Sequence, residues 1–303
     1  MGPSLVTVPE ASGAEDRSVL LLSPGLLGEG VRKRHLGVLF WVSAGWITLI
    51  VMAAILANAL PLDNPTAIGN AAPGLGPSWG HLLGTDELGR DLLSRVVFGA
   101  RISLIVGVTS TVVGLLIGGT LGLIAGYFGG IVDTFISGAV NVLLAFPSLI
   151  LALAIVTFAG PSLFHVTIAI GVLSIAPLAR VVRANTIGYA RREFVQAAQV
   201  LGVRQRRIIF REIVPNVLPT ALSVALVTVP AAILAEGALS FLGLSIQPPT
   251  PSWGNMISEG RDVLAKYPLI ALWPCLCMLL TVLALNFIGD EVRAYFDVRE
   301  GGL

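Results

Sequence analysis

The chain has little charge. Of its 303 residues, 12% are charged and 55% are hydrophobic, and the mean hydropathy is +0.86. An average soluble domain is about 25% charged. So much apolar surface cannot be hidden inside a water-soluble globule of this size, which makes lipid the solvent. Lysine is scarcer still. Lys33 and Lys266 are the only two, and neither follows a glycine. A Walker A loop needs Gly-Lys before Ser or Thr, so the chain does not hold ATP in that way. Cysteine is confined to Cys275 and Cys277. Two apart on a helix, they point in different directions. This leaves a disulfide framework unsupported and reads as inert buried thiols. The three histidines, His35, His81 and His165, are scattered. H-E-x-x-H, G-x-S-x-G and Cys/His zinc spacings are all absent, so no catalytic residue, metal site or cofactor is expected. With a net charge of +1 and no long Lys/Arg run, nothing points to nucleic acid.

What the sequence does have is long apolar runs. A bilayer core of about 30 Å needs about 20 apolar residues of helix. Six stretches qualify: Gly37–Leu60, Ile102–Tyr127, Thr134–Phe158, Val166–Val182, Val217–Leu242 and Leu269–Ile288. Strand-like alternation for a barrel is absent, and lipid demands internally satisfied backbone. The fold class is therefore an all-α integral membrane protein with six transmembrane helices. Basic residues set its orientation. With the N-terminus inside, the interior segments hold most of the 19 Lys and Arg, and the outside holds Arg90, Arg95, Arg101, Arg261 and Lys266. This bias predicts a multi-pass protein with both termini in the cytoplasm.

The expected organisation is a tail over 1–35, a first helix over 36–60, an external segment over 61–100, a five-helix body over 101–290 and a C-terminal tail over 291–303. Prolines and glycines such as Pro61, Pro65, Pro73, Gly74 and Pro77 exclude regular helix from the first half of the external segment. From about Leu88 the spacing of Leu92, Leu93, Val96 and Val97 predicts an amphipathic helix leading into span two. Span two carries Gly114, Gly118, Gly122 and Gly126 on one face. Such a stripe lets another backbone lie close, either within the chain or at a subunit interface. Pro147, Pro177, Pro230 and Pro274 are expected to kink spans three to six. The one acid well within a span is Glu236. It is either a pathway residue or one partner of a helix–helix hydrogen bond.

The most informative stretch joins spans four and five, over 184–216. Phe194, Ala197, Ala198 and Leu201 share one helical face. Gly202 supplies a left-handed stop. A second short helix is expected from Arg204 to Ile213, ended by Val214 held extended before Pro215. Arg204 and Arg207 lie in its basic cluster. On physics alone this is a basic helix-Gly-helix element facing the cytoplasm, equally readable as an amphipathic helix on the lipid surface.

Gln196-Ala197-Ala198, Gly202 and Ile213-Val214-Pro215 resemble the EAA loop of ABC importer permeases. Two positions depart: Gln196 stands where that loop has its name-giving Glu, and Val214 where Leu is usual. Leu83–Asp91, Gly99–Leu104, Ala125–Gly130, Leu239–Pro249 and Ser252–Gly254 are similar to the C-type permeases of dipeptide, oligopeptide, glutathione and nickel importers. The resemblance runs from about residue 30 to 300. It implies a type I ABC importer permease fold in a bacterial cytoplasmic (inner) membrane, with the 184–216 loop as a cytoplasmic coupling helix. It also implies a homologous B-type permease partner, two ATPase subunits that bind ATP and Mg, and an extracytoplasmic substrate-binding protein that delivers peptide. The chain itself is then no enzyme. Coupling falls to Gln196, Ala197, Ala198, Gly202, Arg204, Arg207, Ile213 and Pro215. Thr85, Asp86, Arg90, Asp91, Gln247 and Trp253 are candidate contacts for the binding protein. Nickel or glutathione import is the alternative within the family. A secondary, ion-coupled transporter using Glu236 is the alternative outside it.

Overall fold

Apolar runs of this length become helices because lipid offers backbone N–H and C=O groups no other partner. The computed structural model describes residues 37–69 and 71–300, with 295–300 described by backbone alone. The expected tail over 1–35 lies outside the described residues. The helices are α1 (Val38–Leu56), α2 (Leu92–Phe128), α3 (Gly130–Ala145), α4 (Ser148–Ala159), α5 (Leu163–Ala190), α6 (Glu193–Val200), α7 (Gln205–Ile208), α8 (Val214–Phe241), α9 (Trp253–Asp262) and α10 (Leu269–Glu300). A π-helical turn over Ile209–Ile213 joins α7 to α8. No β-strand occurs among the described residues.

Five helices are long and apolar enough to cross a bilayer: Val38–Leu56, Leu92–Phe128, Leu163–Ala190, the continuous Gln205–Phe241 and Leu269–Ala294. The sixth crossing takes α3 and α4 together, and these meet at 88°. Thr134–Phe158 was expected as one kinked helix and is instead two arms. Pro147 disfavours helical backbone at the residue before it, and Phe146 is extended with ψ 135°. Neither arm reaches across alone. Sixteen and 12 residues span roughly 24 and 18 Å, against about 30 Å of hydrocarbon.

Other boundaries move for identifiable reasons. The helix expected from about Leu88 begins at Leu92, where the Asp91 carboxylate accepts from the Ser94 N–H at 2.7 Å and caps it. It runs unbroken into span two. Span four passes the expected Val182 and continues to Ala190, with Pro177 inside it. Hydropathy stops at Val182 because Arg183 follows. Arg183 is accommodated by Asp133, to which it donates through Nε and Nη2 at 2.5 Å each. The last helix runs past residue 290 to Glu300, so the described part of the expected C-terminal tail is helical.

The glycine stripe of α2 lies against α5 of the same chain. A Cβ at Gly114 would collide with Ser174, at Gly118 with the Ile175 carbonyl, at Gly122 with the Ala179 carbonyl and at Gly126 with Arg183 and Thr186. Both series ascend together, so α2 and α5 are parallel. Gly107 meets Ile233 of α8, and Gly289 of α10 meets Val227. Ser103 of α2 reaches Glu236 of α8, so α8 runs antiparallel to α2. Arg101 donates to the Ala54 and Ile55 carbonyls at 3.0 and 3.1 Å, satisfying the C-terminal end of α1. The bundle therefore has two ends. One carries residues 57–91 and 242–268, and the other carries the α2–α3 link and residues 191–213.

Gly118→Ala should destabilise the chain by about 1–3 kcal/mol, the range for overpacking a tight contact. Gly138→Ala, where a Cβ meets open space, should be neutral or gain under about 1 kcal/mol in helix propensity. Thermal unfolding of the detergent-purified chain separates them. Equal effects would contradict the close α2–α5 approach.

Candidate functional site

At the end carrying residues 191–213, the chain builds a projecting element. Helix α6 starts with Glu193 in its first turn, where a carboxylate suits the positive end of the helix dipole. It stops through a paired closure. The Gly202 N–H donates to the Gln199 carbonyl and the Val203 N–H to the Ala198 carbonyl, both at 3.0 Å. Gly202 has φ +72°, the left-handed residue such a Schellman closure needs. The element is held from inside by Val195, which packs with Tyr189, Ile208, Ile213 and Val217. Ala198 and Val203 pack against the same cluster.

Outward it presents Phe194, Ala197, Val200 and Leu201, with Val200 88% and Leu201 81% exposed. Arg204, Arg206, Arg207, Phe210 and Arg211 are exposed beside them. The expected face thus divides: Phe194, Ala197 and Leu201 face outward, while Ala198 turns toward the core. Gln196 is exposed, and its Nε2 donates to the Arg191 carbonyl at 3.1 Å. An ionised carboxylate has no proton to give there. Ile213 is buried and Pro215 exposed.

The expected stop at Val214 does not occur. Val214 is helical (φ −55°, ψ −47°), and its N–H donates to the Ile209 carbonyl five residues back. Pro215 lacks an N–H, and a π turn shifts the ladder register where a helix must pass such a gap. The second helix therefore continues into α8 as one rod of 37 residues, roughly 55 Å long.

At the opposite end, five of the six candidate contact residues are buried. Thr85, Asp86, Arg90, Asp91 and Trp253 are at most 7% exposed; Gln247 alone faces out. The reason is mutual satisfaction. Asp86 accepts from the Leu88 and Arg90 N–H groups and pairs with the Arg90 Nε. Glu259 of α9 accepts from Arg95 at 2.8 Å and from Arg90 at 3.2 Å. Thr85 bridges Ala72 and Leu75. The Trp253 indole N–H donates to the Val96 carbonyl at 3.0 Å. These residues build this end and do not offer a docking surface. His81 joins Asp91 by a 3.0 Å hydrogen bond. With Asp63 they bring three ligand-type atoms within 4.8 Å of one another.

Glu236 is fully buried. Its Oε1 accepts from the hydroxyls of Ser240, Ser245 and Ser252 at 2.8, 2.9 and 2.9 Å. Its Oε2 accepts from Ser103 at 3.3 Å. Ser103 in turn accepts the Trp253 N–H at 3.1 Å, and Ser252 caps α9 in a capping box. Of the two readings of Glu236, the hydrogen-bonding one is present: it ties α2, α8 and α9 together. Sequence reasoning carried these serines only inside the motif stretches and gave them no role. Their signal was a set of hydroxyls on both sides of a lone intramembrane acid.

A family model described as the binding-protein-dependent transport system inner membrane component matches residues 118–300. The chain belongs to that family. It is an ABC importer permease subunit. The match starts inside α2 and takes in α3 to α10; α1 and the 57–91 segment precede it. The permease is 41% identical to the dipeptide transport system permease protein DppC of Alkalihalophilus pseudofirmus, over 84% of this chain and 83% of that one. It is 39% identical to the glutathione transport system permease protein GsiD of Pectobacterium atrosepticum, over 85% and 86%. In fold it is similar to the methionine ABC transporter MetNI in an inward-facing conformation, with TM-score 0.55, 19% identity and coverage of 68% of this chain and 96% of that one.

Glu236→Ala in the permease strands four buried hydroxyls. It should cost about 3 kcal/mol or more, at 1–3 kcal/mol for each group left unsatisfied. Glu236→Gln keeps an acceptor and should cost about 1 kcal/mol and retain transport. If Glu236→Gln folds normally but abolishes uptake, the carboxylate is a pathway group after all.

Proposed function

We propose that this permease imports di- or oligopeptides by alternating access, with the 191–213 element receiving the movement of separate ATPase subunits. The observation that carries the reading is the exposed apolar face of Val200 and Leu201 ringed by arginines, set on a rigid Gly202 stop. Isolated apolar side chains on a surface are ordinary, but a contiguous patch with a charged rim marks a partner. The peptide assignment is supported by relatives named for dipeptide and di/tripeptide transport. Glutathione is the second reading, supported by a relative of similar identity.

The element faces the cytoplasm in this reading, with both termini inside. The support is charge: Arg191, Arg192, Arg204, Arg206, Arg207 and Arg211 sit at one end, whereas of the basic residues at the other end Arg90 and Arg95 are held in ion pairs and Arg101 is bonded to the end of α1. A pair of ATPase subunits holds ATP and Mg. A B-type permease covers the face formed by α3, α4 and α5, where Ile131, Phe135, Val142 and Phe146 are exposed, and the pathway runs between the two subunits. A binding protein docks at the opposite end. The coupling chain is physical. Val195 packs against the end of α5 and the start of α8 at once, so a push on α6 moves both. Close α2–α5 packing then carries the displacement inward.

Reconstitution in proteoliposomes with the partner subunits tests this. ATP-dependent uptake of a labelled dipeptide is expected, and gradient-driven uptake by the lone chain would overturn it. Leu201→Glu should leave folding intact and reduce uptake more than tenfold. Gly202→Ala strains a left-handed residue by about 1–2 kcal/mol and should reduce uptake less. Unlabelled glutathione that competes better than dipeptides would select the second reading.

A further inference from the structure

A cavity of about 260 Å³ opens between α2, α3 and α5, lined by Ala125, Ser137, Asn141, Ala179, Arg180 and Arg183 among others. Two guanidinium groups stand in its wall, and they differ. Arg183 is held by Asp133 through two bonds. Arg180 donates through Nη2 to the Asn141 amide oxygen at 3.0 Å, and among the described residues no acid forms an ion pair with it. The wall therefore carries one uncompensated positive charge.

Depth makes that charge significant. Helix α5 has 28 residues and ends at Ala190. It is roughly 42 Å long, about 12 Å more than the hydrocarbon core. Arg180 lies ten residues before its end, roughly 15 Å in. Even if all the excess length projected on this side, Arg180 would lie within the hydrocarbon layer. An ionisable group there is expensive unless it faces a wet cavity or a partner. A guanidinium offers five N–H donors in a planar fork suited to carboxylate, and the described partner uses one of the ends. The cavity is smaller than the roughly 300–1,000 Å³ of sites that enclose a whole small ligand. It suits one end of a substrate.

We propose that Arg180, with the Asn141 amide, forms an anion site that receives the carboxylate end of the substrate during passage, beside Ser137, whose hydroxyl is engaged by Asp133. This rests on the reading that α3 and α5 border the pathway. The site selects by charge at one point and leaves side chains unread, which fits a permease passing varied peptides.

The test uses the assembled complex in nanodiscs without binding protein, with Cys275 and Cys277 replaced by Ala and Ser137→Cys as reporter. The anionic reagent 2-sulfonatoethyl methanethiosulfonate should label it at least tenfold faster than the cationic trimethylammonioethyl analogue. Arg180→Gln should bring the two rates within twofold. Millimolar dialanine should slow labelling severalfold, and dialanine amide should not. A rate ratio unchanged by Arg180→Gln overturns the site. Equal protection by acid and amide overturns the carboxylate assignment. Protection that follows phosphatidylglycerol content instead of peptide reassigns the anion to a lipid headgroup and overturns the substrate role. The failures stay distinguishable: absence of ATP-driven uptake defeats the transport reading, while uptake without the anion preference defeats only this site.

Discussion

The close contact between the backbones of α2 and α5 sets the position of every other element. Lipid tails are as apolar as the helices, so no hydrophobic force presses spans together, and close van der Waals contact takes its place. Gly114, Gly118, Gly122 and Gly126 remove every side chain that would keep the helices apart. Because both helices run the same way, the chain must return between them to the end where α2 began. The α3–α4 pair makes that return, entered through Gly129 and Gly130 and left through Gly160, all at positive φ. The 88° bend at Phe146-Pro147 is the shape of that return path, and α3 on its way there borders the cleft that Arg180 and Arg183 line.

Polar groups divide the molecule into unlike ends. At one end, Glu236 and its four serines, and Asp86 and Glu259 with Arg90 and Arg95, are paired internally, with the buried Arg95 Nη1 left over. A buried ion network that is nearly complete resists separation, since removing one partner leaves a charge stranded. That end behaves as a bolted cap of α2, α8 and α9. At the other end the arginines of the α6–α7 element form no ion pair among the described residues, and its apolar residues Val200 and Leu201 face out. In the proposed coupling, the fixed end would serve as the fulcrum and the exposed end as the handle.

The spans and the projecting loop were legible because each depends on local pattern: apolar length for the helices, and the Ala197-to-Leu201 spacing with Gly202 for α6. The burial of Asp86, Arg90 and Asp91 was not legible. Charged and polar residues in a Gly- and Pro-rich segment look solvated, and only the fold brings Glu259, distant in sequence, to Arg95. Val214 failed for a different reason. A residue before proline usually leaves the helical region, but the π register carried the ladder past Pro215, a solution that depends on the surrounding packing of Ile208 and Ile213. The glycine stripe was read correctly as a close approach, although its partner could be named only once α5 was in place.

Gln196 sharpens what the projecting element can do. The EAA loop that this stretch resembles is named for a Glu at this position, whereas here an amide closes the join between α5 and α6 by donating to the Arg191 carbonyl. The amide thereby ties the start of α6 to the end of α5, and in the proposed coupling the contact chemistry falls to its neighbours. Those neighbours are apolar at the centre and basic at the rim. A partner that matches them needs a hydrophobic cleft edged with carboxylates. Its affinity would come chiefly from desolvating Val200 and Leu201, and its orientation from the arginines, since exposed ion pairs each contribute well under about 1 kcal/mol. Rigidity at Gly202 then matters more than charge. A movement reaches the bundle only if α6 does not pivot on its own closure.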